Sequence, residues 1–103
     1  MNKVWVVSFY EFSSDHVESA VFLTKKLEAL YREEPGVFAT IEPDKFHANS
    51  YLETLEFDNM AAYLAFQESQ AKNSELQDYG AKLKNCLHRS AVTETYFEQA
   101  ITA

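Results

Sequence analysis

Hydrophobic and polar residues follow two periodicities along the chain, one typical of strands and the other typical of helices. Short segments rich in β-branched and aromatic residues predict four strands, and longer segments with apolar residues every three or four positions predict three helices. The predicted strands run from Val4 to Phe12, from Val37 to Glu42, from His47 to Phe57 and from Ala91 to Glu98. The predicted helices run from Asp15 to Glu33, from Asn59 to Gln70 and from Ser74 through the apolar stripe that ends at Leu87.

Capping and turn residues predict where the helices begin and end. Ser74 and Gln77 have the spacing of a capping box, and Asp58 is the expected cap of the middle helix. Gly80 lies inside the last helix, where glycine costs about 1 kcal/mol relative to alanine. Its presence there predicts close packing of the backbone.

The order of elements predicts a single α+β domain over residues 1–103, a ferredoxin-like split β-α-β fold with its second helix broken in two. Such a fold has a four-stranded antiparallel sheet, with the first and third strands central and the helices on one face. Both faces of the first strand are largely apolar, whereas a strand with one solvated face alternates apolar with polar residues. We therefore expect a second copy of the chain to cover the other sheet face, forming a homodimer whose sheets pack face to face.

Composition supports a covered interior and narrows the class of partner. Hydrophobic residues make up 47% of the chain and aromatic residues 15%, more than one thin layer of sheet and helix buries comfortably. This surplus indicates a partner surface or a pocket. The net charge is -7, from 16 acidic and nine basic residues. Without a concentrated basic patch, binding to nucleic acid or to an anionic membrane is not expected.

Cysteine and histidine usage argues against metal chemistry and against disulfides. Cys86 is the only cysteine, which excludes an internal disulfide and a cysteine-rich zinc site. The three histidines lie on different elements at no ligand spacing. The chain begins in a strand pattern without the features of a signal peptide, and no apolar run approaches the roughly 18 residues of a membrane span. The expected location is the cytoplasm.

The sequence also resembles a known superfamily, the dimeric α/β-barrel proteins, and within it the antibiotic biosynthesis monooxygenase-like group. The resemblance covers nearly the whole chain and is carried by the order of elements, by the segment from Glu34 to Phe38 and by the crossing from Leu52 to Tyr63. It implies the dimeric α/β-barrel fold. The group includes cofactor-free oxygenases that act on polycyclic phenols or quinols, and relatives that bind and cleave haem.

Three positions depart from the pattern of that group. The crossing there often reads Glu-x-Trp-x-Ser/Asp, with a histidine about three turns further on. Here Leu55, Phe57 and Phe66 take the places of the glutamate, the tryptophan and the histidine. The resemblance is therefore specific for the fold rather than for the chemistry. Phe66 is expected to be buried or to line a pocket.

The alternation of residues along the strands predicts which side chains line the dimer interior. The helix-facing side is expected to be apolar or small: Trp5, Val7, Phe9, Ala48, Ser50, Leu52, Thr54, Thr93, Thr95 and Phe97. The opposite side then carries the polar residues: Val6, Ser8, Tyr10, His47, Asn49, Tyr51, Glu53, Glu94 and Tyr96. A mostly apolar hollow with a few converging polar groups is typical of a small-molecule site.

Within this predicted site, Glu53 and His47 are the candidate catalytic residues, because a desolvated carboxylate or an imidazole accepts a proton from a phenol. Tyr10 and Tyr51 would hydrogen-bond and stack on a ligand. The predicted substrate-binding set is Ser8, Tyr10, Asn49, Tyr51, Phe66 and Tyr96. These side chains could instead serve only as dimer contacts.

Three functions remain open. The first is a cofactor-free, monooxygenase-like oxidoreductase acting on an aromatic or quinol-like compound. The second is a non-catalytic binder or sensor of a small apolar or aromatic molecule, and the third is a structural dimeric module without a cavity. No cofactor and no metal are expected.

Overall fold

A computed structural model describes residues 2–98 of the protein and places four strands in one antiparallel sheet. The strands are β1 (Val4–Glu11), β2 (Val37–Pro43), β3 (Ser50–Phe57) and β4 (Val92–Phe97), and the helices are α1 (Val17–Arg32), α2 (Met60–Lys72) and α3 (Ser74–Lys84). The strand order is β2-β3-β1-β4, so the first and third strands are central. The predicted α+β, ferredoxin-like fold is confirmed.

Asparagine side chains cap α2 and α3, each one residue away from the predicted cap. Asn59, rather than Asp58, accepts a hydrogen bond from the backbone N–H of Ala62 at 2.9 Å. Asn73 ends α2 in an extended conformation and also begins α3, where its Oδ1 accepts hydrogen bonds from the N–H groups of Glu75 and Leu76. One side chain therefore fixes the joint between the two helices.

The strand β3 begins three residues later than predicted because residues 44–49 form a loop. Asp44 accepts a hydrogen bond from the N–H of Phe46 at 2.8 Å, and Asn49 takes a φ of 60°. Asparagine is among the residues that adopt this left-handed conformation most readily. His47 and Asn49 consequently lie in the loop and not on a strand.

The core lies between the helices and one face of the sheet. Phe57 is fully buried and contacts the rings of Tyr63 and Phe66 from α2, with centroids 5.3 and 5.2 Å apart. Tyr31 of α1 packs edge-on against Phe66 at 5.6 Å. Aliphatic side chains complete this core: Val4, Ala20, Leu23, Leu27, Ala39, Leu55, Leu76 and Leu83.

The register of the sheet shows which side chains face the helices. Residues directly opposite each other on antiparallel strands share a face, and Ser8 lies opposite both Glu53 and Thr93. The helix-covered face carries Val4, Val6, Ser8, Tyr10, Val37, Ala39, Ile41, Tyr51, Glu53, Leu55, Phe57, Thr93, Thr95 and Phe97. The prediction of which side chains face the helices is therefore confirmed for β4 and wrong for β1 and β3.

The error has a physical cause in the composition of β1. Both of its faces are apolar, so alternation does not decide between them, and a shift of one residue exchanges every side chain. The polar residues were expected to avoid the helix layer. The structure instead leaves room for them between the helices and the sheet.

The opposite side of the sheet, which we call the open face, is not covered by any helix of residues 2–98. Its side chains include Trp5, Val7, Phe9, Phe38, Thr40, Leu52, Thr54, Glu56, Val92, Glu94 and Tyr96. Phe38 is 62% exposed and Leu52 is 42% exposed. Large apolar side chains thus meet solvent on this face of the isolated chain. Across residues 2–98, the helices are too short and too polar to cross a membrane.

Candidate functional site

Glu53 lies in the middle of β3 on the helix-covered face and is almost completely buried. Its side chain is 4% exposed, and its neighbours in register are Ser8 on β1 and Ile41 on β2. The Oε2 atom accepts no hydrogen bond from any of the described residues. A carboxyl group buried without a partner favours its neutral form, because the charged form loses its hydration.

An inner hollow of about 280 Å³ surrounds this carboxyl group between the sheet and the helices. Its walls are Val6, Ser8, Tyr10, Tyr31, Glu53, Leu55, Phe57, Tyr63, Phe66, Gln67, Gln70, Thr93 and Thr95. In the described part of the chain, Glu53 is the only ionisable group of this wall apart from tyrosine phenols. The hollow is therefore aromatic, with one acid at its sheet side.

Burial raises the pKa of Glu53 to about 7, with the neighbouring Tyr10 phenol opposing part of the rise. Its protonated and ionised forms are both populated near neutral pH, which suits a general acid or base. Burial, followed by the charge of Glu53, also raises the pKa of Tyr10 and that of Tyr31 above the ordinary range. Both phenols therefore stay protonated and remain available as hydrogen-bond donors.

An outer hollow of about 740 Å³ adjoins the inner one and shares four wall residues with it, Tyr10, Tyr31, Gln70 and Thr93. Its other walls come from α1, α3 and the segment before β4: Leu27, Gly80, Leu83, Lys84, Leu87, Arg89, Ser90 and Ala91. A β-carbon at Gly80 would meet no atom within 4 Å. The close backbone packing predicted for Gly80 is wrong, since this glycine borders open space.

The structure brings four of the predicted site residues together. Ser8, Tyr10, Glu53 and Phe66 all line the inner hollow. Ser8 Oγ is 2.9 Å from Thr93 Oγ1, which gives the buried hydroxyl of Ser8 a partner. Phe66 is 4% exposed, so the prediction that it is buried or pocket-lining is confirmed.

Tyr51 lies on the same face but outside the hollow. Its ring contacts Phe12 at 5.4 Å, and Phe12 in turn stacks on Tyr10 at 6.1 Å. Tyr51 therefore supports the position of Tyr10 through Phe12.

The remaining predicted residues do not share a face or a cavity with Glu53, which corrects that part of the expectation. His47 lies in the loop before β3, bound to Asp44 at 3.1 Å, and its ring contacts Phe9 on the open face. Asn49 is exposed in the same loop. Tyr96 is 50% exposed on the open face, where its hydroxyl donates to Glu94.

On the helical side of the hollow, sequence reasoning identified Phe66 and missed Tyr31, Tyr63, Gln67 and Gln70. Tyr63, Phe66, Gln67 and Gln70 are spaced at three, one and three residues, which places them on one side of α2. Two amides beside the buried Phe66 were the available signal, because a helix that only seals a core carries apolar residues on that side. Tyr31 was assigned to the apolar stripe of α1, although its hydroxyl also reaches the hollow.

Solved structures show the same fold. The chain aligns with a conserved protein from Methanosarcina mazei at a TM-score of 0.80 and 14% identity, covering 93% of this chain and 92% of that one. A proposed antibiotic biosynthesis monooxygenase from Caulobacter crescentus aligns at a TM-score of 0.79 and 15% identity over 92% and 88% of the two chains. Another, from Deinococcus radiodurans, aligns at 0.77 and 18% identity over 97% and 94%.

No protein-family model matches the sequence, and no curated protein matches it significantly. At these identities the likeness concerns the backbone and not the chemistry of individual side chains. The chain has the fold of the proposed antibiotic biosynthesis monooxygenases, and the resemblance predicted from its sequence is confirmed at the level of the fold.

Proposed function

We propose that the chain is an enzyme of the cofactor-free oxygenase type, acting on a phenolic or quinol-like aromatic compound with Glu53 as its general base. The observation that carries this proposal is the carboxyl group of Glu53, which is buried in an aromatic hollow and whose Oε2 atom accepts no hydrogen bond from the described residues. A carboxyl group at such a position costs stability, so a catalytic use accounts for its presence. The proposed monooxygenases that share the fold add support.

The chemical role of the site follows from its two kinds of wall. Phe57, Phe66 and Tyr63 offer ring faces and edges for a flat substrate. Ionised Glu53 accepts the proton of the substrate hydroxyl, and the resulting phenolate is richer in electrons and reacts more readily with O2. One oxygen atom of O2 enters the product, and the other leaves as water with two hydrogen atoms from the substrate.

The proposal includes a homodimer assembled through the open face. The apolar side chains of that face would otherwise stay in water, and a second copy covers them by a two-fold axis. Two of its carboxylates already have partners: Glu56 Oε1 accepts from Trp5 Nε1 at 2.9 Å and lies 3.7 Å from Lys3 Nζ, while Glu94 accepts from Tyr96. Satisfied carboxylates make covering the face less costly.

The test is O2 consumption with 1,4-dihydroxynaphthalene and with anthrone as probes, corrected for their spontaneous oxidation. Glu53→Gln keeps the shape and removes the base, and it should lower turnover about 10²-fold. Glu56→Gln is the matched control, because it removes a carboxylate from the same strand but from the open face. It should leave turnover unchanged.

Turnover by Glu53→Gln equal to that of the unaltered protein would contradict the assignment of the base. Calorimetric binding of the probes without any O2 consumption would make the chain a binder, the second of the functions predicted from the sequence. If neither probe binds, the structural role is favoured.

A further inference from the structure

The two hollows differ in charge, and this difference bears on the shape and charge of the ligand. At about 280 Å³, the inner hollow has room for about one ring system beside Glu53. The adjoining outer hollow, at about 740 Å³, falls within the usual range of roughly 300–1,000 Å³ for small-molecule pockets. A ligand that fills both therefore has a ring at the inner end and a longer body toward the surface.

The outer hollow is positively charged although the chain as a whole is acidic. Lys84 and Arg89 both line it, and no aspartate or glutamate does so within the described part of the chain. The whole sequence has 16 acidic and nine basic residues, so a wall with two cations and no acid is unusual for this protein. At physiological salt, charges more than about 8 Å away are largely screened, so nearby groups set the field in this hollow. Glu11 offsets the charge of Arg89 at 2.7 Å, which leaves Lys84 as the uncompensated cation among the described residues that line it.

The two cations differ in their partners among the described residues, since Arg89 has one and Lys84 has none. No carboxylate of the described residues lies within 4.0 Å of the Lys84 ammonium. Arg89 is held from one side by Glu11, whose Oε2 is 2.7 Å from Arg89 Nε. The Arg89 side chain is nevertheless 68% exposed, and an arginine fork can bind a second carboxylate.

We infer that the ligand is a phenol or quinol whose far end carries a carboxylate or another anionic group, bound by Lys84 and Arg89 in the outer hollow. This inference rests on the proposed function for the ring end alone. The hydroxyl meets Glu53 at the inner end while the acid group remains near solvent. The shared wall of Tyr10, Tyr31, Gln70 and Thr93 contacts the connecting body.

A matched pair of probes tests the inference by binding, without turnover. 6-Hydroxy-2-naphthoic acid and 2-naphthol share the hydroxylated ring and differ by the carboxylate. Exposed ion pairs are each worth about 0.2–1 kcal/mol, so two of them should favour the acid by about twofold to thirtyfold at low salt. The preference should shrink in 0.5 M NaCl.

Variants in the outer hollow identify the side chains that are responsible for the preference for the acid. Lys84→Gln and Arg89→Gln should each reduce the binding of the acid about threefold and leave 2-naphthol unchanged. Lys82→Gln is the matched control from the same helix, because Lys82 pairs with Asp78 and does not line this hollow. Gly80→Phe should weaken both probes by filling the outer hollow, whereas Gly80→Ala should not.

Three results would overturn the inference. The two probes could bind with equal affinity, Lys84→Gln and Arg89→Gln could both bind the acid as well as the unaltered protein does, or neither probe could bind. Its failure is separate from that of the proposed function. Equal binding of both probes together with O2 consumption that depends on Glu53 would leave the catalytic proposal intact. A preference for the acid without such consumption would leave the charge selectivity standing for a non-catalytic binder.

Discussion

The two faces of the sheet satisfy their carboxylates in opposite ways. On the helix-covered face, Glu53 Oε2 is buried and accepts no hydrogen bond from the described residues. On the open face, Glu56 is bonded by Trp5 and approached by Lys3, although it is far more exposed. The buried Oε2 atom of Glu53 thus lacks a partner among the described residues, while the more exposed Glu56 has two. This contrast supports the proposed ligand site on the covered face and the proposed assembly surface on the open face.

The largest difference between the faces should appear in the free energy of unfolding. Phe57 on the helix-covered face is fully buried, and Phe38 on the open face is 62% exposed. Phe57→Ala should cost about 3–5 kcal/mol because it leaves a cavity among packed rings. Phe38→Ala should cost less than about 1 kcal/mol in the isolated chain. Urea denaturation at one low protein concentration measures both, and equal losses would contradict the assignment of the two faces.

A second difference should appear in the dependence of stability on pH. The pKa of Glu53 rises from 4.5 to about 7 on folding, so the folded state holds a proton that the unfolded state releases. The contribution of Glu53 to the free energy of unfolding is largest below about pH 4.5, decreases as the pH rises to about 7, and is constant above that pH. The decrease amounts to about 3 kcal/mol.

Urea midpoints between pH 4.5 and 8 measure this effect. Glu53→Gln should remove the decline, because glutamine has no proton to lose, and Glu56→Gln should retain it. Parallel pH profiles for Glu53→Gln and the unaltered protein would show that Glu53 is solvated or paired in the folded state.

The smallest predicted effect is on assembly through the open face. Light scattering at micromolar concentration should give about twice the chain mass of 11.8 kDa. Leu52→Asp places a charge on the open face and should raise the dimer dissociation constant at least about tenfold, or 1.4 kcal/mol. Leu64→Asp on α2 is the matched control, since Leu64 is also exposed but lies away from the sheet. A monomer before any substitution, or equal dissociation by both variants, would contradict the proposed dimer.

The sequence predicts the elements of this fold better than it predicts their facing. The strand order and the central position of β1 and β3 follow from the succession of elements, and the burial of Glu53 follows from a strand with no solvated side. The sequence does not show which of the two faces of β1 and β3 the helices cover. Val4 to Tyr10 is apolar on both sides, so only pairing in space distinguishes them. The pairing seen in the structure shows the error directly, because Ser8 and Thr93 lie opposite each other and must therefore face the same side of the sheet.

Local chemistry was predictable to within one residue where a side chain acts on its own backbone. Asp58 was expected to cap α2, and the neighbouring Asn59 does so. Gly80 shows the limit of such reasoning. A glycine inside a helix signals that a side chain is unwanted there, but the same signal arises from a close neighbour and from the rim of a cavity. Only the arrangement of α3 over the sheet separates the two.

The joint at Asn73 has a consequence for how the family of such sites can diverge. The helix before it, α2, contributes Gln67 and Gln70 to the inner hollow, and α3 after it contributes Gly80 and Lys84 to the outer hollow. Asn73 and Gln77 hold the joint between the two helices, because Gln77 Nε2 of α3 donates to the carbonyl oxygens of Gln70 and Ala71 at the end of α2. Gln70 lines both hollows, whereas Gly80 and Lys84 line only the outer one. Under the proposed function, reactivity depends on the residues around Glu53, and substrate choice depends in part on α3. Evolution can retune which molecule is accepted while the reacting end stays as it is.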